Sequence, residues 1–273
     1  MEKRITPAAR ILIVTMTVFL LLLCGEVIMT PSAHAAEGDL TIDASTFPDE
    51  HFRNWVIMNV AKGSTTLTQA EIDATTSMDI NSQYIADLTG IEYFTALTDL
   101  NCYGNSLTSL DMSTNPALTT LDCSLNSLTS LNVKANTKLT DLNCGYNSLS
   151  DLDVEANTAL TKLHCYFNQL TSLDVKTNTG LMDLSCYNNQ LTALDLTANT
   201  ALTNVSCYNN KLTALDLTNA TALTTLYCYS NNLTALDLSK NTQLNSFLGH
   251  DQTYSALPVT GSSANWQVDL KAL

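Results

Sequence analysis

The chain has 273 residues, 45% hydrophobic and 14% charged, and its 26 acidic and 12 basic side chains give a net charge of −14 at pH 7. This apolar content is that of a chain with a packed core, which excludes an intrinsically disordered protein. The negative charge would repel nucleic acid and anionic lipid, so neither is an expected partner.

Residues 1–35 have the order of a secretory signal peptide. Three basic residues within the first ten precede an apolar run from Ile11 to Cys24, and small residues surround Ala35, after which we expect cleavage. The run is shorter than the roughly 20 residues that a membrane-spanning helix needs, so we expect no span in the mature chain. Leu23 stands where a bacterial lipobox has a small residue, which disfavours lipidation of Cys24.

Residues 36–96 are predicted to form an N-terminal cap. Phe47–Met58 has the spacing of an amphipathic helix, and a Thr-x-x-Glu capping box at Thr68 begins a second helix over Leu67–Ile72. Met78–Ala96 matches the repeats that follow at an offset of 22 residues, which indicates an atypical first repeat. Such terminal units cover the otherwise open core of a repeat protein.

A 21-residue repeat fills the middle of the chain, because Leu97–Gln243 contains seven full units of the pattern L-T-x-L-x-C-x-x-N-x-L-T-x-L-D-[LVM]-x-x-N-T-x. The first eleven positions match the leucine-rich-repeat signature, with cysteine in the third apolar position. The alternation around Leu100 and Cys102 predicts a short strand, and stacked units would place these strands in a curved parallel sheet. The second half of each unit is too short for a stable helix, so we expect extended segments and turns on the convex side. The predicted fold is therefore a leucine-rich-repeat solenoid.

Two asparagine columns mark the turns of each unit. The first begins at Asn105, where the chain turns inward after the strand, and its amides are predicted to pair with backbone groups. The second begins at Asn115 and lapses at Ala220, which indicates a tolerant position.

Residues 244–273 are predicted to hold a degenerate eighth repeat and a C-terminal cap. Gly249 replaces the cysteine and Gln252 the asparagine, and Tyr254–Val259 with Trp266–Leu270 has the pattern of a β-hairpin. Leu257–Gly261 also matches a sortase recognition motif. No apolar segment and basic tail follow it in this sequence, so we interpret the match as chance.

The repeated cysteines are interpreted as core residues. Metal sites and redox centres are alternatives, but cysteine here takes the inward position that leucine takes in other repeats, and buried free cysteine acts as a small hydrophobe. Their odd number and shared direction argue against sequential disulfides. We expect no cofactor and no metal site.

The outward face of the strands is the expected binding surface. Tyrosines recur there on successive strands, and aromatic rings with polar tips suit a protein partner or a glycan, while stacking between strands that merely stabilises the sheet is the alternative. The candidate partner-binding residues are Tyr103, Asp141, His164, Tyr166, Asp183, Tyr187, Tyr208, Tyr227 and Tyr229.

Catalysis is not expected. His164, with Asp141 and Asp183 on the neighbouring strands, resembles a proton-transfer or metal cluster, but no nucleophile or phosphate loop accompanies it. An aspartate column on the convex half, beginning at Asp111, would suit calcium, but bonds from its carboxylates to turn amides are the simpler interpretation.

Four features of the chain together resemble the secreted, internalin-like leucine-rich-repeat proteins of Gram-positive bacteria. They are the Phe-Pro-Asp-Glu-x-Phe-Arg segment at Phe47, Leu-Thr-x-x-Glu-Ile at Leu67, Leu-Thr-Gly-Ile-Glu-Tyr-Phe at Leu88, and the cysteine-bearing repeats. The resemblance implies a curved solenoid that binds proteins or cell-surface molecules outside the cell, in host contact or adhesion. It implies calcium only where an acidic loop precedes the second segment, and Val60–Thr66 lacks those carboxylates.

Overall fold

A computed structural model describes residues 39–252 and 259–261 of the chain. The predicted signal peptide and most of the predicted C-terminal hairpin lie outside the described residues.

Two helices precede the repeats, as the sequence predicts. Strand β1 (Leu40–Thr41) pairs antiparallel with β2 (Thr66–Leu67), and helix α1 (Glu50–Asn59) lies between them in the chain. Helix α2 (Gln69–Ala74) begins with the predicted capping box, because Thr68 Oγ1 accepts a bond from the Glu71 amide while the Glu71 carboxylate accepts one from the Thr68 amide. Helix α1 begins at a cap that the sequence analysis missed, the Asp49 carboxylate.

The main sheet has nine parallel strands, one from each successive repeat. In chain order they are β3 (Ser77–Asp79), β4 (Asp99–Asn101), β6 (Thr120–Asp122), β8 (Asp141–Asn143), β9 (Lys162–His164), β10 (Asp183–Ser185), β11 (Asn204–Ser206), β12 (Thr225–Tyr227) and β14 (Ser246–Leu248). Met78 pairs with Leu100, so the offset of 22 residues predicted for the atypical first repeat is confirmed, and the later strands pair at 21. The repeat period therefore sets the register of the sheet.

The opposite side of the solenoid is made of short extended segments and turns. Strands β5 (Ser109–Asp111) and β7 (Ser130–Asn132) pair there in parallel, as do β13 (Leu236–Asp237) and β15 (Val259–Thr260), and a single 3-10 turn spans Ile91–Tyr93. Val259, the one described residue of the predicted hairpin, pairs in parallel with Leu236 of the preceding repeat. Residues 259–260 thus continue the convex strands, and the remainder of the predicted hairpin lies outside the described residues.

The core is a stack of leucine, valine and cysteine side chains. All seven repeat cysteines are buried and free of disulfides, which confirms their interpretation as core residues. Burial raises the pKa of every one of these thiols, to about 12 at Cys144 and Cys207. A thiol with so high a pKa is a weak nucleophile and a poor metal ligand at neutral pH.

The first asparagine column pairs with backbone in every repeat, as predicted. Asn168 Nδ2 donates to the carbonyl oxygens of Cys144 (3.0 Å) and Cys165 (3.1 Å), and Asn168 Oδ1 accepts the amide of Leu149 at 2.9 Å. Gln252 makes the same three kinds of bond, to Cys228, Gly249 and Leu233. The eighth repeat is therefore less degenerate than its sequence indicates, because the longer amide preserves the column.

After Asn115, whose Oδ1 accepts a bond from Thr114 Oγ1, the second asparagine column uses only the donor half of each amide. Asn178 Nδ2 donates to the carbonyl oxygens of Val154 and Asn157, while Asn178 Oδ1 is buried without a hydrogen-bond partner in the described part of the chain. Ala220 occupies the one position of this column that lacks asparagine, and it is buried. Replacing asparagine by alanine removes the two hydrogen bonds that Nδ2 donates, but it also removes the energetic cost of burying an unpaired Oδ1. This explains why the column tolerates alanine.

Within residues 39–252 and 259–261, the two helices are too short and too polar for either to cross a membrane.

Candidate interaction surface

The outward face of the nine-stranded sheet carries the predicted binding residues in three columns. Asp141 and Asp183 lie in the first column, His164 and Tyr227 in the second. The third follows each strand and reads Tyr103, Ser124, Gly145, Tyr166, Tyr187, Tyr208, Tyr229 and His250. Repeat stacking thus brings residues 21 positions apart into adjacent strands.

Tyrosine rings in the third column stack into a continuous ladder. Ring centroids lie 4.8 Å apart between Tyr166 and Tyr187 and 4.3 Å apart in the next two pairs, Tyr187–Tyr208 and Tyr208–Tyr229, with interplanar angles of 2 to 11°. His250 extends the stack at 4.9 Å from Tyr229, a member that the sequence analysis did not include. The separations match the spacing of neighbouring strands, so the sheet itself imposes the stacking.

The tyrosine ladder covers four successive strands and ends at Gly145, so it does not reach Tyr103. A Cβ at Gly145 would lie 2.6 Å from the Tyr166 ring, which shows that this ring occupies the space left by the missing side chain. Tyr103 lies two strands beyond Gly145 and is 41% exposed. Tyr227, at the other end, lies on the sheet with its hydroxyl 3.0 Å from Ser246 Oγ.

Burial and neighbouring phenols alter the acidity of the ladder. Desolvation is the main reason that the pKa of Tyr166, Tyr187 and Tyr208 is raised. Nearby phenols raise the pKa of Tyr187 and Tyr208 further, and Tyr208 has a tyrosine on each side. Tyr166, Tyr187 and Tyr208 thus present uncharged hydroxyl groups at neutral pH.

Beside the ladder lies an apolar rim formed by Leu125, Tyr146 and Phe167, which the sequence analysis missed. The three side chains are 45%, 45% and 39% exposed, and the rings of Tyr146 and Phe167 stack at 4.3 Å. Tyr146 also meets Tyr166 edge to face at 5.5 Å, which joins the rim to the ladder.

The backbone of the rim is in the left-handed region. Its φ angles are 53° at Leu125, 52° at Tyr146 and 50° at Phe167. This conformation costs a bulky residue roughly 1 kcal/mol or more. The other repeats carry small or polar residues at this position: Ser82, Gly104, Asn188, Asn209, Ser230 and Asp251. Three bulky residues in a column of turn formers are the sequence signal that could have revealed the rim.

The polar residues of the face form separate pairs, so Asp141 and Asp183 do not share His164. Lys162 Nζ lies 2.7 Å from Asp141 Oδ2, and Lys162 has a raised pKa because it bonds to and attracts that carboxylate. Asp141 therefore pairs with lysine rather than with His164. His164 Nε2 is 3.5 Å from Asp183 Oδ2 and makes no hydrogen bond within the described residues.

The convex aspartates bond to turn amides, as predicted. Asp111 Oδ1 accepts the amide of Ser113 at 2.9 Å, and the same bond to the residue two positions later recurs at Asp153, Asp174, Asp195, Asp216 and Asp237. In the described ranges, no group of three or more histidine, cysteine, aspartate or glutamate side chains is arranged to hold a metal ion.

Known proteins similar to this chain include bacterial leucine-rich-repeat proteins. Over 70 residues it is 45% identical to internalin J of Listeria monocytogenes serotype 4b (strain F2365), a stretch that covers 25% of this chain and 8% of that protein. The structure of the functional domain of InlJ, which includes a cysteine ladder, matches with a TM-score of 0.75 at 40% identity, covering 81% of this chain and 50% of that one. Internalin C2 of the same species matches with a TM-score of 0.62 at 22% identity, over 84% of this chain and all of that one.

This chain thus spans half of the internalin J domain that it matches and a small part of the whole protein. No protein-family model matches the chain. The repeat sequence, the parallel solenoid and the buried cysteine column agree with the internalin J structure. The chain is an internalin-like leucine-rich-repeat protein.

Proposed function

We propose that this protein is an extracellular interaction module whose concave face binds a protein partner. The observation that carries the proposal is the aromatic ladder Tyr166–Tyr187–Tyr208–Tyr229 on the outward face of a rigid sheet. The core does not need these rings, because the adjacent inward position is already filled by cysteine in all seven repeats. Rigid aromatic side chains with polar tips are enriched among the residues that dominate protein interfaces.

A carbohydrate-binding role is the alternative, and the ladder geometry disfavours it. Sugar rings bind aromatic residues by stacking on an open ring face. Tyr187 and Tyr208 are stacked on both faces by neighbouring tyrosines, and Tyr229 lies between Tyr208 and His250. The ladder therefore presents ring edges and hydroxyl groups, which suit hydrogen bonding to a protein surface.

Binding to intact cells would test the proposal. The full chain is compared with the double variant Tyr187→Ser, Tyr208→Ser and with a convex control, Asp195→Asn, Asp216→Asn, on cells treated with protease or with glycosidases. We expect binding that is lost after protease treatment and in the ladder variant but kept by the convex control. Binding that survives protease but not glycosidases would favour the glycan alternative. Equal binding by all three proteins would refute the proposal that the concave face is the binding surface.

The extracellular part of the proposal rests on residues 1–35. Expressed in a Gram-positive host, the protein should appear in the medium or on the cell surface with Ala36 as its first residue, as determined by N-terminal sequencing. A chain lacking residues 1–35 should remain inside the cell. Full-length protein retained in the cytoplasm would contradict the proposed location.

A further inference from the structure

The apolar rim is difficult to explain by folding alone. Leu125, Tyr146 and Phe167 are bulky side chains in the left-handed backbone region, where asparagine and glycine stand in other repeats. The strained backbone is held by bonds between repeats, since the amides of all three donate to carbonyl oxygens of the next repeat at 2.9 to 3.0 Å. Any residue at this position would make those bonds.

The rim is packed only in part, since the rings of Tyr146 and Phe167 stack at 4.3 Å but none of its side chains belongs to the core. The three side chains remain 39 to 45% exposed and are adjacent in space, so together they form an apolar patch on the surface. Bulky residues that adopt a strained backbone conformation and remain partly exposed to solvent are characteristic of binding sites rather than of a core.

The sheet face beside the rim carries an excess of negative charge. The outward positions of the nine strands hold five aspartates, Asp79, Asp99, Asp122, Asp141 and Asp183, against one lysine, which is paired with Asp141. Asp122 is three residues before Leu125, and its carboxylate is oriented by Ser124 and by Asn143 Nδ2 at 3.0 Å. The Asp122 charge also reaches Tyr166, the ring that contacts the rim.

We propose that the rim, with Asp122 beside it, is the docking site for a protein segment in which an apolar side chain stands next to arginine or lysine. The apolar group covers Tyr146 and Phe167, and the cation lies against the acidic strand face, where carboxylate oxygens accept its hydrogen bonds. A second copy of this chain is a poor occupant because it would bring the same negative face to this site. This inference rests on the proposed function and names the chemistry of the partner.

The test is a random-peptide library displayed on phage and selected against the full chain. Selected peptides are then measured against the rim variant Leu125→Asn, Tyr146→Asn, Phe167→Asn, which carries the residue native to the same position in two other repeats. Asparagine tolerates the left-handed region, so the variant should fold, with its unfolding midpoint within about 4 °C of the parent. Ser230→Asn, at the same backbone position away from the rim, is the matched control.

We expect the selected peptides to combine arginine or lysine with leucine or aromatic residues. They should bind the rim variant roughly 30-fold more weakly and the Ser230 control equally well. Asp122→Asn should weaken them by roughly tenfold, and added salt should weaken them further.

Other outcomes separate this inference from the proposed function. Some peptides could fail to bind the Tyr187→Ser, Tyr208→Ser variant but bind the rim variant as tightly as the parent. That result would overturn the rim as the docking site and leave the proposal of concave-face binding intact. Selected peptides without basic residues, or a glycan array whose ligands depend on the rim when peptides do not, would overturn the partner chemistry. Peptides that bind both variants as tightly as the parent would overturn both proposals.

Discussion

Two columns of residues run side by side along the solenoid, one position apart in the sequence. The inward column, which begins at Cys102, is cysteine in all seven repeats and fully buried. The outward column, which begins at Tyr103, includes serine and glycine before the four tyrosines and ends with histidine. The core accepts a narrow range of volumes, whereas the surface position is constrained only by its neighbours. Side-chain identity on the outward side is therefore free to vary with function.

The largest expected effect is a loss of folding stability at alkaline pH, caused by the buried cysteine column. Each buried thiol has a folded pKa above its unfolded value near 9.0, so its contribution to stability is complete below pH 9 and is lost as pH rises toward the folded pKa, about 12 for Cys144 and Cys207. Each thiol then costs about 1.4 kcal/mol per pH unit. Seven such thiols would remove a typical free energy of unfolding, on the order of 10 kcal/mol, within about one to two units above pH 9.

Urea unfolding at pH 8, 9 and 10 under reducing conditions would measure this loss. The variant Cys165→Ala has six such thiols and should lose stability less steeply with pH. A midpoint that does not change between pH 8 and pH 10 would mean that the thiols are not buried as described.

A smaller effect is expected from Cys165→Ser. The change keeps the shape of the side chain but places a hydroxyl group in the core between Cys144 and Cys186, which should lower the free energy of unfolding by about 2 kcal/mol. Thermal and urea unfolding would show it. A cost below that of the outward variant Tyr187→Ser would reverse the ranking of the two columns.

Tyr187→Ser should cost about 1 kcal/mol. The variant loses two stacked contacts, with Tyr166 at 4.8 Å and Tyr208 at 4.3 Å, but the position stays partly exposed and the strand bonds are unchanged. Because the proposed interface includes this ring, binding should fall far more than stability does. Equal losses of binding and stability would indicate a ladder that is only structural.

The smallest effect is expected from His250→Tyr, which should change the free energy of unfolding by less than about 0.5 kcal/mol. A tyrosine can continue the stack on Tyr229, and the contact of His250 Nδ1 with Asp251 at 2.8 Å is a surface interaction of little value. Thermal unfolding at neutral pH would measure the change. A large loss would show that the end of the ladder depends on imidazole.

The sequence by itself determined the repeat architecture. A period of 21 residues places Leu100 and Cys102 inward and their neighbours outward in every repeat, and the first asparagine column bonds as its position at the turn predicts. The Thr68 capping box and the tyrosine ladder also follow from local pattern and period. These features are predictable because each depends on one repeat or on identical neighbours.

Only the tertiary structure decided how unlike neighbours meet. The Tyr166 ring fills the space left by Gly145, and Lys162 rather than His164 pairs with Asp141. Gln252 makes the hydrogen bonds that asparagine makes in the other repeats. The rim was hidden for the same reason, since Leu125, Tyr146 and Phe167 stand at a turn position whose left-handed backbone turns their side chains outward. A repeat period fixes which column a residue occupies, but contacts between different residues in that column depend on side-chain shape and backbone conformation in three dimensions.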